Sequence, residues 1–176
     1  TTKQGSNEFH GSVEGVFAPG ALAGASRRVL REGASIDSEN NRNYNWDIGA
    51  EIGGPIIKDK LWFHVGFNPS FTKSTTKRIV NRSVDVNDDG KADIDGDTGF
   101  SVREQVATNS YKNTSQTAYF TAKINGAVSS KHQFQISGWG NPDTATGVYS
   151  LLHDPNTAID TNKSGAYDVS AKWTSK

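Results

Sequence analysis

Apolar and polar residues alternate along several stretches of this chain. An alternation with a period of two is typical of β-strands that separate an apolar environment from a polar one. The clearest example is a pair of stretches, residues 43–53 and 60–68, joined by a tight turn that runs from Pro55 to Asp59. Helical periodicity is weak throughout. The pattern predicts six strands, at residues 8–17, 43–53, 60–68, 115–126, 132–140 and 165–174.

The connections between the predicted strands alternate between long and short. Long polar segments cover residues 18–42, 69–114 and 141–164, whereas tight turns join the second strand to the third and the fourth to the fifth. Soluble domains rarely contain structureless loops longer than about 12–15 residues. Transmembrane β-barrels have this alternation, with short turns on the periplasmic side and long loops outside the cell. The loop lengths therefore favour a barrel.

The charged residues within the strands agree with a barrel whose apolar face contacts lipid. A lysine or arginine on that face costs about 2–4 kcal/mol at the middle of the bilayer, and no predicted strand places one there. The polar faces carry Glu14, Asp47, Glu51, Lys123, Asp168 and Lys172. The predicted fold is all-β: an antiparallel transmembrane β-barrel segment of about six strands, with long extracellular loops and short periplasmic turns.

Composition excludes several classes of function. The 176 residues carry a formal net charge of zero, which argues against a nucleic-acid partner held by bulk electrostatics. The chain has no cysteine, so it has neither a disulfide framework nor a thiolate metal site. Neither a nucleophile elbow nor a phosphate-binding loop occurs in the sequence, which predicts that the protein is not an enzyme. The abrupt ends of the chain suggest a piece of a longer polypeptide.

Two segments of the chain carry a resemblance to a known family. Residues 2–12, which include Asn7, Glu8 and Phe9, and residues 52–63, which include Gly53-Gly54-Pro55 and Lys58-Asp59-Lys60, resemble the start of the barrel in TonB-dependent outer-membrane receptors. The likeness is to the Oar-like branch of these receptors. Either motif alone is weak, but both occur in order and at positions that suit a barrel, and the later stretch 117–125 also fits.

This resemblance implies a location and a set of partners. The chain would form the amino-terminal part of a barrel in the outer membrane of a Gram-negative bacterium, following a plug domain that these residues do not include. The parent protein would contact outer-membrane lipid, bind TonB through the plug and import an unidentified ligand. Lumen-facing side chains would contact the plug or line the path of the ligand; by strand phase these are His10, Glu14, Asp47, Glu51, His64 and Lys123.

The second long connection, residues 69–114, contains one segment that looks like a metal site. Carboxylates and an amide at alternate positions, followed by Gly90, match the first half of a calcium-binding loop. The twelfth position is Gly96 instead of the usual bidentate glutamate, so Asp95 or Asp97 would have to complete the shell. The predicted calcium ligands are Asp85, Asn87, Asp89, Asp93, Asp95 and Asp97. The alternative is a solvated acidic loop without metal.

Two other functions stay open at this point. The first is a secreted, calcium-dependent adhesive β-sandwich, in which the aromatic and aliphatic faces pack against each other as a core. The second is an outer-membrane component for surface assembly that has the same barrel and transports nothing. Solubility without detergent distinguishes the sandwich, and a TonB-binding segment in the parent protein distinguishes the transporter.

Overall fold

A computed structural model describes residues 6–24, 26, 31, 33–148 and 159–175, and these form one antiparallel β-sheet. A single 3-10 turn, Gly20–Leu22, follows the first strand. In this part of the chain no helix is long and apolar enough to cross a membrane. The strands are β1 His10–Pro19, β2 Ile36–Ile57, β3 Leu61–Ser83, β4 Arg103–Ala127, β5 His132–Gly140, β6 Asp143–Val148, β7 Ile159–Ser164 and β8 Tyr167–Ser175.

The sheet is a meander in which each strand pairs with its neighbour in sequence. The order is β1-β2-β3-β4-β5-β8, while β6 pairs with β4 and β7. β5 and β6 are two parts of one long strand, because both keep the same register with β4 on either side of Asn141 and Pro142. Proline lacks the N–H needed for a full ladder, but its carbonyl still accepts a hydrogen bond from the amide of Ala118 at 2.9 Å. β7 and β8 are likewise two parts of one long strand, because β7 keeps with β6 the register that β8 keeps with β5. The described residues therefore form six long strands.

The strands are longer, and the loops shorter, than the sequence pattern predicts. β2 begins at Ile36 and β3 continues to Ser83, so the predicted loops 18–42 and 69–114 shrink to residues 20–35 and 84–102. The predicted loop 141–164 contains β6 and β7, and its remaining residues 149–158 lie outside the described part of the chain. These loop boundaries were wrong because most residues of the added strand segments are polar, so no regular hydrophobic alternation marks them.

Side-chain hydrogen bonds between strands accompany these polar extensions. Thr72 donates its hydroxyl proton to the Asn45 side-chain oxygen at 2.6 Å, and Thr75 donates to Asn43 at 2.8 Å. The side-chain amide of Asn113 donates to the hydroxyl of Thr76 at 2.9 Å. Cross-strand pairs of this kind stabilise a sheet without apolar burial. The sheet therefore continues well beyond its apolar band.

In this sheet apolar side chains are exposed and several polar side chains are buried, which is the reverse of the pattern in a soluble protein. On the apolar face, Val13, Ile52 and Val65 are 81%, 52% and 44% exposed. On the opposite face, His64 and Lys123 are each only 4% exposed. A flat sheet would expose both faces alike, so the polar face is the crowded, concave side, as in a sheet that curves toward a barrel. The apolar face is the outer, lipid-contacting surface.

No sandwich core is present among the described residues. Ile79, with 2% of its surface exposed, is their one buried large hydrophobic side chain, and they form a single sheet and not two packed layers. The adhesive β-sandwich considered above is therefore wrong. Within the described residues β1 and β8 each pair on one side only. Lipid cannot satisfy such open edges, which fits a segment of a larger barrel.

Candidate functional site

A polar cluster lies on the concave face where β1, β2, β3 and β4 meet. Ser12 is the register partner of Glu51, and His64 is the register partner of Lys123. The Ser12 hydroxyl donates a hydrogen bond to Glu51 Oε1 at 2.9 Å. Glu51 Oε2 lies 3.4 Å from His64 Nε2. Three successive strands thus meet around the Glu51 carboxylate, and Lys123 of β4 lies beside His64 in the register.

The members of this cluster are buried to different degrees. The side chain of Glu51 is 23% exposed and that of His64 is 5% exposed. The buried Nδ1 of His64 has no hydrogen-bond partner within the described residues. Buried polar atoms without a partner are costly. The His64 ring is therefore enclosed by its neighbours, with the Glu51 carboxylate beside its Nε2.

A groove of about 290 Å³ lies beside the cluster on the same face. Its floor contains Gly49 and Gly66, where side chains would crowd their neighbours: a Cβ on Gly49 would lie 2.9 Å from Glu14 Cγ, and one on Gly66 would lie 3.0 Å from Thr121 Cγ2. The glycines keep the groove open. Its walls combine carboxylates with polar and aromatic side chains, among them Ser12, Glu14, Glu51, Asn68, Tyr119 and Trp139.

The structure brings together four of the six predicted lumen residues. Glu51, His64 and Lys123 lie in the cluster, and Glu14 lines the groove beside Asn68. The other two lie at its borders: the ring of His10 packs over Gly53 near the tight turns, and Asp47 accepts a hydrogen bond from Asn45 at 3.3 Å toward the long loops.

Trp139 was missed by the sequence reasoning. It is the register partner of Thr121 and of Asp168, both on the polar face. The alternation of β5 carries the signal, because two residues beyond Ser137 is again a lumen-facing position. The sequence pattern did not predict an aromatic residue in the lumen, because aromatic residues are expected on the lipid face.

The predicted calcium ligands fall into two groups. In the first, the Asp85 carboxylate accepts the backbone amides of Asp89 at 3.2 Å and Gly90 at 2.8 Å. The Asp93 carboxylate accepts the Val86 amide at 2.6 Å and the Asn87 side-chain amide at 3.1 Å. Asp85, Asn87, Asp89 and Asp93 are therefore linked in one compact loop.

Asp95 and Asp97 belong to a separate turn. One oxygen of Asp95 accepts hydrogen bonds from the Thr98 amide at 2.8 Å, the Thr98 hydroxyl at 2.9 Å and the Asp97 amide at 3.0 Å. The bonds from Thr98 lower the pKa of Asp95 below its usual 3.8. They favour the folded turn at any pH above that value, and the benefit disappears as the pH falls through the lowered pKa.

The donor atoms of this loop suit a hard cation, but they do not surround one position. Carboxylate and amide oxygens are the ligands that calcium prefers. Within the described residues, no group of three or more carboxylate or imidazole side chains is placed to share an ion. Asp95 would have to leave its turn to join Asp85 and Asp93. Calcium binding by this loop stays a prediction.

A third feature joins the two segments that carry the family resemblance. The side-chain oxygen of Asn7 accepts the Asp59 amide at 2.9 Å and the Trp62 indole N–H at 2.8 Å, while its side-chain amide donates to the Asp59 carboxylate. The ring of Phe9 covers Gly54, where any side chain would collide with it. We call Asn7, Asp59 and Trp62 the turn clasp. Asp59 has a positive φ of 63°, and the clasp holds this turn in place.

An antiparallel sheet with an outer apolar face, a buried polar lumen face and long polar extensions defines a segment of an outer-membrane β-barrel. Residues 1–175 match the family described as the outer membrane beta barrel domain, and the chain belongs to this family. The curated TonB-dependent transporter Oar of Myxococcus xanthus is 35% identical over 158 residues, which is 89% of this chain and 15% of that protein. No solved structure matches the chain.

These comparisons confirm several predictions. The likeness to the Oar-like branch of TonB-dependent receptors, the all-β antiparallel barrel segment and the location in the outer membrane of a Gram-negative bacterium are all confirmed. The family is not an enzyme family, and the relative is a transporter. The chain covers about one seventh of the length of that relative, 15%, so the activity of the whole protein remains to be proposed.

Proposed function

We propose that this chain is part of the barrel wall of a TonB-dependent transporter that imports a ligand through a plugged lumen. The observation that carries the proposal is the inverted exposure of the sheet, with exposed valine and isoleucine outside and His64 and Lys123 buried inside. The likeness to a relative named as a TonB-dependent transporter supports the same function. Import requires the plug and its contact with TonB, which these residues do not include.

Within this function, the concave face serves as a contact surface. The Glu51 carboxylate, with the Ser12 hydroxyl and the His64 imidazole beside it, offers hydrogen-bonding groups to a partner. The groove adds the half-exposed aromatic rings of Tyr119 and Trp139. Carboxylates beside aromatic faces suit cationic and hydrogen-bonding groups. We infer that the plug or the passing ligand contacts this face, and no covalent chemistry is required.

Binding of TonB separates a transporter from a surface-assembly component with the same barrel. The full-length protein in detergent is titrated with the soluble carboxyl-terminal domain of TonB from the same organism. A transporter is expected to bind this domain saturably, because its plug carries the contact. The same protein without the part of the plug that contacts TonB serves as the control. Equal retention of the TonB domain by both proteins, or by neither, would favour the component that transports nothing.

We also propose that calcium orders the loop of residues 85–97. The support is the compact arrangement of Asp85, Asn87, Asp89 and Asp93, in which the side-chain oxygens of Asp85, Asn87 and Asp93 accept hydrogen bonds from amides of the same loop. Gly90, with a φ of 80°, allows the sharp turn that such loops need. Closing the shell requires Asp95 or Asp97 to move from the second turn. Bound calcium would then hold the two turns together outside the cell.

Calorimetric titration of the full-length protein with calcium tests this proposal. The Asp89→Ala variant is expected to lose one binding event, or to weaken it at least about tenfold, because a charged oxygen ligand is removed. The Asp88→Asn variant is the matched control, since Asp88 lies in the same loop but is not a predicted ligand, and asparagine tolerates its φ of 62°. Absence of heat at millimolar calcium, or equal titrations of both variants, would exclude a site here.

A further inference from the structure

Three lysines lie close together on the outer face of the sheet, beyond its apolar band. Lys112 of β4 is the register partner of Thr75 of β3, and Lys73 and Lys77 lie two residues on either side of Thr75. Side chains two residues apart in a strand share a face, and diagonal neighbours across two strands lie about 7–8 Å apart. Lys73, Lys77 and Lys112 therefore form a compact group, which we call the outer lysine cluster.

The cluster lies directly beyond an aromatic boundary. Trp46 and Phe71 are register partners on the outer face and stack with their ring centroids 4.1 Å apart. The next outward-facing pair along the same strands is Tyr44 with Lys73. Aromatic side chains mark the membrane interface in barrels. The short turns lie at the opposite end of the strands, so the outer lysine cluster sits at the level of the extracellular headgroups.

The ammonium groups of the outer lysine cluster have few partners within the sheet. Within the described residues, none of the three cluster lysine side chains takes part in a hydrogen bond or an ion pair. The one acidic register partner is Glu39, opposite Lys77. The three ammonium groups thus lie on the outer face with one carboxylate opposite them in the register.

We propose that the outer lysine cluster binds the phosphate groups of lipids in the outer leaflet. This inference rests on the membrane placement of the barrel, not on ligand import. A lipid is the fitting source of phosphate because the cluster continues the apolar face that its acyl chains would cover, through Phe71 and Trp46. Ammonium groups at a membrane surface attract anionic headgroups. The hydroxyl of Thr75, between the lysines, already donates its proton to Asn43, so the lysines are the groups that would contact the phosphate.

Native mass spectrometry of the full-length protein in detergent tests this proposal. The protein is incubated with diphosphorylated lipid A, with the same lipid after enzymatic removal of both phosphates, or with inorganic phosphate alone. The test variant combines Lys73→Gln, Lys77→Gln and Lys112→Gln. The matched control combines Lys58→Gln, Lys60→Gln and Lys131→Gln, three lysines at the short turns. Heat-dependent migration on gels verifies that all the proteins are folded.

The expected result is retention of diphosphorylated lipid A by the wild-type protein and the control, with a loss of at least about tenfold in the test variant. The dephosphorylated lipid should bind the wild-type protein as weakly as the diphosphorylated lipid binds the test variant. Equal retention by the test variant and the control would overturn the proposal. So would equal binding of the two lipids, or inorganic phosphate binding as tightly as the lipid.

Discussion

Replacing Ala122 with lysine is expected to destabilise the folded barrel by about 2–4 kcal/mol, because the new charge would lie in the middle of the lipid-facing surface. Ala122 is exposed on the outer face, between Val65 of β3 and Gly138 of β5 in the register. Apolar rows continue on both sides of it, through Phe120 and Ile124. A lysine there cannot reach water along the sheet without crossing several apolar side chains.

The neighbouring position provides a control at the same depth. Position 121 has nearly the same depth as position 122 but lies on the opposite face. Gly66 separates Thr121 from Glu51 on the lumen side. A lysine at Thr121 points into the polar groove and can approach the Glu51 carboxylate. The change in the free energy of unfolding is expected to stay below about 1 kcal/mol, as at most polar surface positions.

Both variants are made in the full-length protein and folded into lipid vesicles. Unfolding by guanidinium is followed by tryptophan fluorescence, and the free energies of unfolding are compared with that of the wild-type protein. The difference between Ala122→Lys and Thr121→Lys measures which face contacts lipid. Similar losses in both variants, or a greater loss for Thr121→Lys, would contradict the assignment of the two faces.

Hydrophobic alternation locates the strands of this sheet only where one face meets lipid. There the contrast is strong, as in Leu61, Phe63, Val65 and Phe67, and every predicted strand is present. Beyond the bilayer both faces meet water, so no contrast marks the sheet. Threonine and asparagine side chains that bond across strands look like loop residues in the sequence. The hydrophobic pattern therefore could not predict the extensions of β2, β3 and β4, or the whole of β6 and β7.

The candidate site was partly predictable for the same reason. Strand phase is enough to place Glu51, His64 and Lys123 on the lumen face, because each strand settles its own phase. Contact between them depends on register, which joins Ser12 to Glu51 and His64 to Lys123, and no single strand contains that information. In the acidic loop, the spacing of aspartates and Asn87 predicts a set of metal ligands. The folded loop instead directs the Asp95 carboxylate to Thr98, and this contact could not be predicted from spacing.

Removing the turn clasp is expected to be the second most damaging change. Asn7→Ala deletes three hydrogen bonds, to the Asp59 amide, the Asp59 carboxylate and the Trp62 indole. Each is worth about 0.5–1.5 kcal/mol, and water replaces part of this at an exposed turn, so the expected loss is about 1–3 kcal/mol. β1 pairs with β2 alone among the described strands. Loosening the residues just before β1 should therefore affect that edge most.

Chemical unfolding of the full-length protein in vesicles measures the loss, with Asn109→Ala as the matched control. Asn109 is an exposed asparagine of β4 whose side chain makes no hydrogen bond within the described residues. Its replacement is expected to change the free energy of unfolding by less than about 0.5 kcal/mol. If Asn7→Ala proved as mild as the control, the co-occurrence of the two family motifs would need a cause other than their contact. A loss of stability in Asn7→Ala alone would mean that the two motifs occur together because Asn7, in the first motif, holds the turn that the second motif forms.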